Sequence, residues 1–556
     1  MGIDINCPSP LTFDRVVEGR AVTAQDSPLF RIPTEILTVI ASYLVTNKED
    51  LASLALVNSD CRQLARSCQF RTVKLDASAR SYSILGILQR EADERRQNRG
   101  YTHSPSLGAC IRRLVVGIDG YWKELHALRP PKPGRSIEDT TDDAYVDDEN
   151  TVRQWRSSLD EITHRLNKVY RPNVLFVISS LVHLESLEID QASWNQSLLN
   201  NLTACTIKHL SLRKVLMTDI VPVVEASVVL PLESLNISLG WDFEFRYSFD
   251  GLSLNASNGW NTILRLCSAS LKILTLSHRP AASQEEDAVS FSLQFPQLRQ
   301  LDLLCEPFFD QSALQSLVFT SPSLSTLAIN YGHQATRKLL DREGHIQSLE
   351  TLVLHNSDRI PDRASLDFLK KNPQLKAFAF HDTGTSMLLE RTLSLLTAFS
   401  QLEKLSMSWS GVDIPDSSLH VLTALSSLES LHLSSGLQTG WRHDWSIRHD
   451  TIISHLKPLR RLRQLAFTRD IYSYVREGQL FEYANYVELR HNAWDLHQQS
   501  MCVQALAYAK AFPDLEFIHV GKTSFLVIRV KNRIELQVTD EGEFSWMRSM
   551  FGINSR

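Results

Sequence analysis

The chain has 556 residues, 43% hydrophobic and 22% charged, with a formal net charge of −5 at pH 7. This composition suits a folded protein with a large core, and its mild acidity excludes the broad basic field that nucleic acid or an acidic membrane surface requires. The eight cysteines (Cys7, Cys61, Cys68, Cys110, Cys205, Cys267, Cys305, Cys502) show no CxxC or Cys/His ligand spacing, so neither a disulfide framework nor a zinc site is signalled, and reduced thiols in cytoplasm or nucleus are expected.

Residues 1–26 are polar and aperiodic and lack a basic start followed by an apolar core, so they read as a flexible leader without a secretion signal. Residues 27–76 carry helical spacing. Ile36, Leu37, Ile40 and Leu44 form one apolar group, Pro33 suits a helix start, and Glu35 suits the positive end of that helix. Leu51, Leu54 and Ala55 mark a second helix. Asn58 or Ser59 can cap a third, which carries Leu64 and Ala65. A core this small is marginal alone and is expected to lean on a neighbour.

This segment resembles an F-box. The match runs through Ile32-Pro33-Thr34-Glu35-Ile36-Leu37, Ile40, Leu44, Asp50-Leu51, Leu54–Val57, Cys61–Ala65 and Phe70-Arg71. The resemblance implies a docking surface for a Skp-type adaptor made by Ile32, Pro33, Ile36, Leu37, Ile40, Leu44, Leu51 and Leu54. Cys61 stands where many F-boxes have an aromatic residue, which implies one weaker anchor.

Residues 77–107 are expected to form a connecting helix, with Leu85 and Leu88 on one face. From 108 to 521 the unit apolar-x-x-apolar-x-apolar recurs. Its middle residues are Leu114, Leu187, Leu210, Leu235, Leu274, Leu301, Leu327, Leu352, Phe378, Leu405, Leu431, Leu465 and Ile518. Between Leu274 and Leu431 they follow at intervals of 25–27 residues, within the range of leucine-rich repeats. Alternate leucines point inward from a short strand, and stretches such as Ala313–Thr320 and Ala364–Lys371 have helical spacing. Strands stack about 4.8 Å apart and helices about 10 Å. The expected fold is therefore an α/β repeat: a small three-helix domain, then a curved leucine-rich-repeat solenoid with parallel strands on the concave face. Residues 522–556 alternate (Phe525, Val527; Ile534, Leu536, Val538) and are expected to cap it.

Three insertions break the period. Residues 129–150 are Pro-rich, then acidic, and read as disordered, leading into a helix near 151–170. Residues 240–260 carry Trp241, Phe243, Phe245, Tyr247, Phe249 and Trp260; residues 437–450 carry Trp441, Arg442, Trp445 and Arg448. Trp and Arg are the residue types most enriched at binding hot spots, so substrate choice is expected in these insertions. A loop replacing 437–450 is expected to spare stability.

No phosphate-binding glycine loop, nucleophile elbow, H-E-x-x-H or kinase signature occurs, so no catalysis, metal or cofactor is expected. His443-Asp444 and His449-Asp450 read as solvated loop pairs, and Lys457, Arg460, Arg461 and Arg463 as a solvated basic edge. The longest apolar run, Val174–Leu184, falls short of the roughly 20 residues a bilayer requires. Recognition then falls to the strand face, where Glu188, Ser211, Asn236, Thr275, Asp302, Val353, Ser406 and His432 flank the inward leucines. The substrate-binding candidates are Asn330, His355, His381 and Trp409 at strand ends, with Trp441, Arg442 and Trp445.

An F-box followed by such repeats is similar to the F-box/leucine-rich-repeat family, in a layout like its fungal members. That resemblance implies the substrate-recognition subunit of an SCF-type (Skp–cullin–F-box) ubiquitin ligase. The adaptor would link it to a cullin–RING core, and the repeats would hold a protein substrate. A Skp-binding scaffold acting outside a cullin ligase and an enzyme with an unrecognised site are the alternatives.

Overall fold

The computed structural model describes residues 11–18, 27–44, 47–97, 106–128, 149–191, 193–217, 225, 228–239, 256–278, 290–303, 309–330, 334–355, 363–381, 386–409, 414–435, 445, 447–468, 491–521, 523–531, 533–539 and 550–551. The chain divides into two compact units, Met1–Leu271 and Lys272–Arg556.

The first unit begins with helix α1 (Phe13–Val16), followed by α2 (Thr34–Tyr43), α3 (Lys48–Val57) and α4 (Ser59–Gln69). Pro33 is the residue immediately before α2, where its fixed φ aims the chain into the first turn. Asn47 caps α3 by accepting from the Glu49 and Asp50 amides, and Asn58 caps α4 by accepting from the Cys61 amide at 2.7 Å. Leu37, Ala41 and Leu64 form the helical core with Phe13 and Val17, and Leu29, Phe30, Leu54 and Cys68 pack around them.

The expectation of a free leader is therefore wrong for its described part. Leu11, Phe13, Val16 and Val17 are buried. The Thr38 hydroxyl donates to the Leu11 carbonyl at 3.0 Å, and Gln63 Nε2 donates to the carbonyls of Val16 and Ser106. Three short helices lack apolar area of their own, and the leader supplies part of what is missing.

The strands of this unit are β1 (Thr72–Leu75), β2 (Arg113–Val116), β3 (Ser186–Asp190), β4 (Ser193–Trp194), β5 (His209–Arg213), β6 (Leu216–Met217) and β7 (Ser234–Leu239). The main sheet runs β1-β2-β3-β5-β7, with every pair parallel; β4 and β6 form a small second pair. Assigning residues up to 76 to the helical domain is corrected here. Thr72–Leu75 is the first strand of the sheet, with Val73 opposite Leu114. The connecting helix α5 spans Ala79–Gln97 and buries Leu85 and Leu88. Residues 129–148, most of the acidic insertion, lie outside the described residues; helix Glu149–Arg165 follows, continued by a π-helical turn, Leu166–Tyr170.

The second unit contains β8 (Ile273–His278), β9 (Gln300–Leu303), β10 (Thr326–Asn330), β11 (Thr351–His355), β12 (Ala377–His381), β13 (Lys404–Trp409), β14 (Ser430–Ser435), β15 (Gln464–Thr468), β16 (Phe517–Gly521), β17 (Thr523–Val530) and β18 (Arg533–Thr539). β8 to β16 pair in sequence order, all parallel; β17 and β18 close the sheet as antiparallel strands. Helices Gln311–Val318, Arg363–Lys370 and Asp416–Leu422 connect successive strands. This is an α/β repeat. Leu274, Leu301, Leu327, Leu352, Phe378, Leu405, Leu431, Leu465 and Ile518 are mutually in register and buried.

A backbone device accompanies each step. The carbonyl of the residue two before the inward leucine's strand neighbour accepts two amides from the next repeat: Arg299 O from Ser325 and Thr326, Ser325 O from Glu350 and Thr351, Glu350 O from Lys376 and Ala377. One acceptor satisfying two donors locks the stagger at every strand entrance.

Candidate protein-interaction surfaces

Two surfaces stand out, one in each unit. The first lies on α2, with further exposed apolar residues on α3. Leu37, Thr38 and Ala41 face the core. The opposite side of α2 leaves Ile36 51%, Val39 50%, Ile40 42% and Tyr43 79% exposed, and Leu56 and Val57 on α3 are exposed at 82% and 68%. Single exposed apolar residues are ordinary, whereas grouped ones mark contact surfaces.

Of the adaptor-docking candidates, Pro33, Ile36 and Ile40 are exposed, and Ile32, Leu44 and Leu54 are half-buried. Leu37 and Leu51 are buried; removing them from the docking set is a correction. Ile36 and Leu37 are neighbours about 100° apart around the helix, so spacing alone does not say which of them turns inward. Val39, Tyr43, Leu56 and Val57 were missed. The signal for them was present: α2 has a second set of apolar residues at 36, 39, 40 and 43, more than one buried stripe requires. Cys61 is buried, and burial holds its thiol above the usual range.

The second surface is the side of the second unit's sheet that faces away from the inward leucines. One row crosses it in register: Thr275, Asp302, Ala328, Val353, Ala379, Ser406, His432, Ala466 and His519. Alternation puts these side chains opposite the leucines, where exposure was expected. All are buried instead.

Two features explain part of this. Met550 and Phe551 form one cluster with Ala328, Val353, Ala377, Ala379, Ala466 and Phe517, and Lys404 Nζ donates to the Met550 carbonyl at 2.8 Å. The polar members toward the other end have hydrogen-bond partners in the row or beside it. Ser406 Oγ lies 2.7 Å from His432 Nδ1, and His432 Nε2 lies 3.0 Å from Thr468 Oγ1. His519 Nε2 sits 2.9 Å from the Gly521 carbonyl and Nδ1 2.9 Å from Ser524 Oγ. A carbonyl only accepts, so Nε2 carries the proton and Nδ1 accepts from the serine. Burial holds this neutral ring's pKa down at about 4.

Asp302 is different. It is 0% exposed, neither carboxylate oxygen has a hydrogen-bond partner, and burial pushes its pKa up to about 7. Sequence reasoning placed it on an exposed face and had no signal for its burial.

The substrate-binding candidates divide. Asn330, His355 and His381 are brought side by side at the ends of β10, β11 and β12, with Asn330 buried and His355 half-buried. Trp409 and Trp445 are fully buried and are corrected from anchors to core. Their rings meet at 5.3 Å between centroids, and Trp445 also meets Phe467 at 6.1 Å. Trp441, Arg442, His443 and Asp444 lie outside the described residues, as do 240–255. Trp260 is buried on helix Ala256–Cys267. His449 is buried, with Nδ1 3.2 Å from the Tyr508 hydroxyl, rather than solvated. Arg461 pairs with Glu429 at 3.2 Å, and Lys457, Arg460 and Arg463 are exposed.

Among the described residues, no group of three or more His, Cys, Asp or Glu is placed to hold a metal ion. No described helix is long and apolar enough to cross a membrane.

No protein-family profile and no curated protein matches the chain. Among solved structures, it is similar at 16% identity and a TM-score of 0.30 to the crystal structure of a TLR13–ssRNA13 complex, covering 54% of this chain and 44% of that one. It is similar at 12% identity and a TM-score of 0.24 to the crystal structure of the mouse RP105/MD-1 complex, covering 52% of this chain and 56% of that one. The chain thus spans about half the length of each.

Proposed function

We propose that the protein is a substrate receptor of an SCF-type ubiquitin ligase, with α2 and α3 forming an F-box that docks a Skp-type adaptor. The observation that carries this reading is the exposed apolar face of α2, made by Ile36, Val39, Ile40 and Tyr43, with Leu56 and Val57 also exposed on α3. It sits on the segment whose sequence resembles an F-box. The adaptor would cover this surface, and the leucine-rich α/β repeats would hold a protein substrate. The receptor would make no bond itself and would act by raising the substrate's effective concentration beside a charged ubiquitin carrier. Cytoplasm or nucleus is the compartment this role requires.

The test is co-purification of adaptor and cullin with the full chain and with Ile36→Asp/Ile40→Asp. Both positions are exposed, so the variant is expected to keep the parent's melting curve and lose adaptor and cullin together. Adaptor capture unchanged in the folded variant overturns the F-box reading. Adaptor without cullin from the parent chain favours the scaffold alternative.

A further inference from the structure

The sheet of the second unit ends in a hairpin, and the pairing of that hairpin decides which backbone groups are left over. β17 pairs with β18 from Ser524↔Thr539 to Val530↔Arg533, so a two-residue turn joins them. Lys531 takes φ +54° in that turn, the left-handed backbone that tight hairpins use. The Val527 amide donates to the Glu516 carbonyl at 2.9 Å, just ahead of β16. In an antiparallel ladder the bonding direction alternates along the strand. The odd-numbered residues of β17 therefore bond toward β16 and the even-numbered ones toward β18. The partners of the even set are Arg533, Glu535, Gln537 and Thr539. The amides and carbonyls of Ile534, Leu536 and Val538 thus point away from β17. β18 is the last strand of the sheet, and no described strand pairs with its other side.

Native edges are ordinarily blunted by proline, a bulge, a short strand or repeated like charges. β18 has seven residues, Arg-Ile-Glu-Leu-Gln-Val-Thr, with no proline and two charges of opposite sign. Its register against β17 is unbroken, so it holds no bulge. Val538 is 61% exposed. The hairpin is also held in place: Arg529 Nη2 donates to the carbonyls of Ala509 and Phe512, both at 2.8 Å, at the end of helix His491–Ala511. The edge is thus anchored, extended and unblunted.

We propose that two copies of the chain associate through this edge, β18 pairing antiparallel with β18 of the second copy about a two-fold axis at Leu536. The strand is complementary to itself in that register and in no other. Centred on Leu536, all seven residues overlap. The three outward residues then face one another, Ile534 against Val538 of the second copy, Leu536 against Leu536, and Val538 against Ile534. Each facing pair exchanges two backbone bonds, so every outward amide and carbonyl is satisfied. Their side chains meet apolar to apolar on one face. On the other face Glu535 meets Gln537 and Arg533 meets Thr539, with no like charges directly opposed. Centring on Glu535 would set that carboxylate against its own copy, and centring on Ile534 would leave Val538 unpaired. The contact is isologous and closes at two copies, because pairing consumes the edge of both. One strand on each side is less than the interface of a permanent dimer, so the association is a weak, reversible one. The proposal concerns the second unit alone and does not depend on the ligase reading.

The experiment is sedimentation velocity of the full chain from about 1 to about 200 μM, the range in which a weak dimer forms. The parent is expected to pass from monomer to dimer. In Val538→Pro the ring removes an amide that points outward, so the bonds to β17 remain. By symmetry the one change removes two of the three facing pairs, and dimerisation is expected to weaken at least tenfold. The register is read separately, by mixing chains that carry Glu535→Cys with chains that carry Gln537→Cys and oxidising them. These exposed positions face each other across the proposed axis. A disulfide joining 535 to 537 between chains is expected in the mixture, and neither variant alone is expected to give a bridge at its new cysteine beyond a tenth of that yield. Peptide mapping distinguishes this bridge from any formed by the exposed native Cys502. The cysteine arm does not require Val538→Pro to fold. A parent that stays monomeric overturns the proposal and leaves the edge to a strand of another protein. Dimerisation unchanged in folded Val538→Pro, or absence of the 535–537 bridge, overturns it too. Loss of the dimer in Ile36→Asp/Ile40→Asp with none in Val538→Pro would move the contact to α2 and likewise discard the edge.

Discussion

The rings of Trp409 and Trp445 meet edge to face, 5.3 Å apart at 75°, and both are completely buried. Trp409 ends β13, and Trp445 comes from the long connection between β14 and β15. An insertion that breaks the repeat period thus returns one large side chain to the core. Trp445→Ala is expected to destabilise the second unit by about 3–5 kcal/mol, the range for deleting a large buried aromatic. Trp445 Nε1 has no hydrogen-bond partner. Trp445→Phe keeps the aromatic contact and removes the unpaired donor, so it is expected to cost less than about 1.5 kcal/mol. Urea unfolding checks both. A Gly/Ser loop in place of 437–450 lowers stability for the same reason, contrary to the expectation from sequence.

Leu327 and Leu352 face each other in register across β10 and β11 and are fully buried. Each neighbour's core is completed by the next, so truncation is felt along the stack. Leu327→Ala or Leu352→Ala is expected to cost about 2–5 kcal/mol. The two residues touch the same ladder, so the double variant is expected to depart from the sum of the singles. Denaturant midpoints equal to the parent's would refute the shared core.

The regular part of this architecture was legible because its cause is local. An inward leucine every 25–27 residues reflects one strand and one helix per unit, and every middle residue from Leu114 to Ile518 is buried. Val73 escaped notice although Phe70, Val73 and Leu75 fit the unit, because the strand follows directly on a helix and Phe70 was already counted in the helical domain's motif. What stayed hidden depends on distant partners. The burial of Ala328 and Val353 involves Met550 and Phe551, roughly two hundred positions away, and no periodicity encodes that. Likewise, the assignment of Phe13 to the helical core follows from three-dimensional shortage of apolar area, which a polar, aperiodic leader does not advertise.

Asp302 and His519 shape the pH response in opposite directions. The Asp302 carboxyl has its folded pKa raised from 3.8 to about 7. Its contribution to stability is greatest below the unfolded value and is lost as pH rises through about 7. His519 has its folded pKa lowered from 6.5 to about 4. Its contribution is present above 6.5 and is lost as pH falls toward 4. Between those limits the two slopes oppose each other. Asp302→Asn removes one of them. The variant is expected to gain stability over the parent at pH 8, by an amount on the order of a few kcal/mol, and to lose stability more steeply between pH 6.5 and 4. Thermal melts across that range read both effects, and a difference between the proteins that does not vary with pH would contradict them.

Phe13 lies against Phe30, with ring centroids 5.1 Å apart, inside the core that also holds Leu37, Ala41 and Leu64. Val16 joins Leu11 and Cys110 in a second cluster with Phe70 packed against it. The segment therefore wedges between α4 and the turn Gly108–Cys110 that precedes β2, and Gln63 bonds to both sides of the seam. Phe13→Ala is expected to cost about 3–5 kcal/mol within the first unit and to loosen α2 against α4. Because Ile36 and Ile40 project from α2, adaptor capture is expected to weaken although Phe13 touches no partner. The exposed-face variant Ile36→Asp/Ile40→Asp is expected to do the reverse, losing capture while its melting is unchanged. Hydrogen exchange separates the two mechanisms, since Phe13→Ala is expected to raise exchange in α2 and α4 and the aspartate variant is not. Wild-type exchange rates in Phe13→Ala would mean that the leader rests on the helices without supporting them.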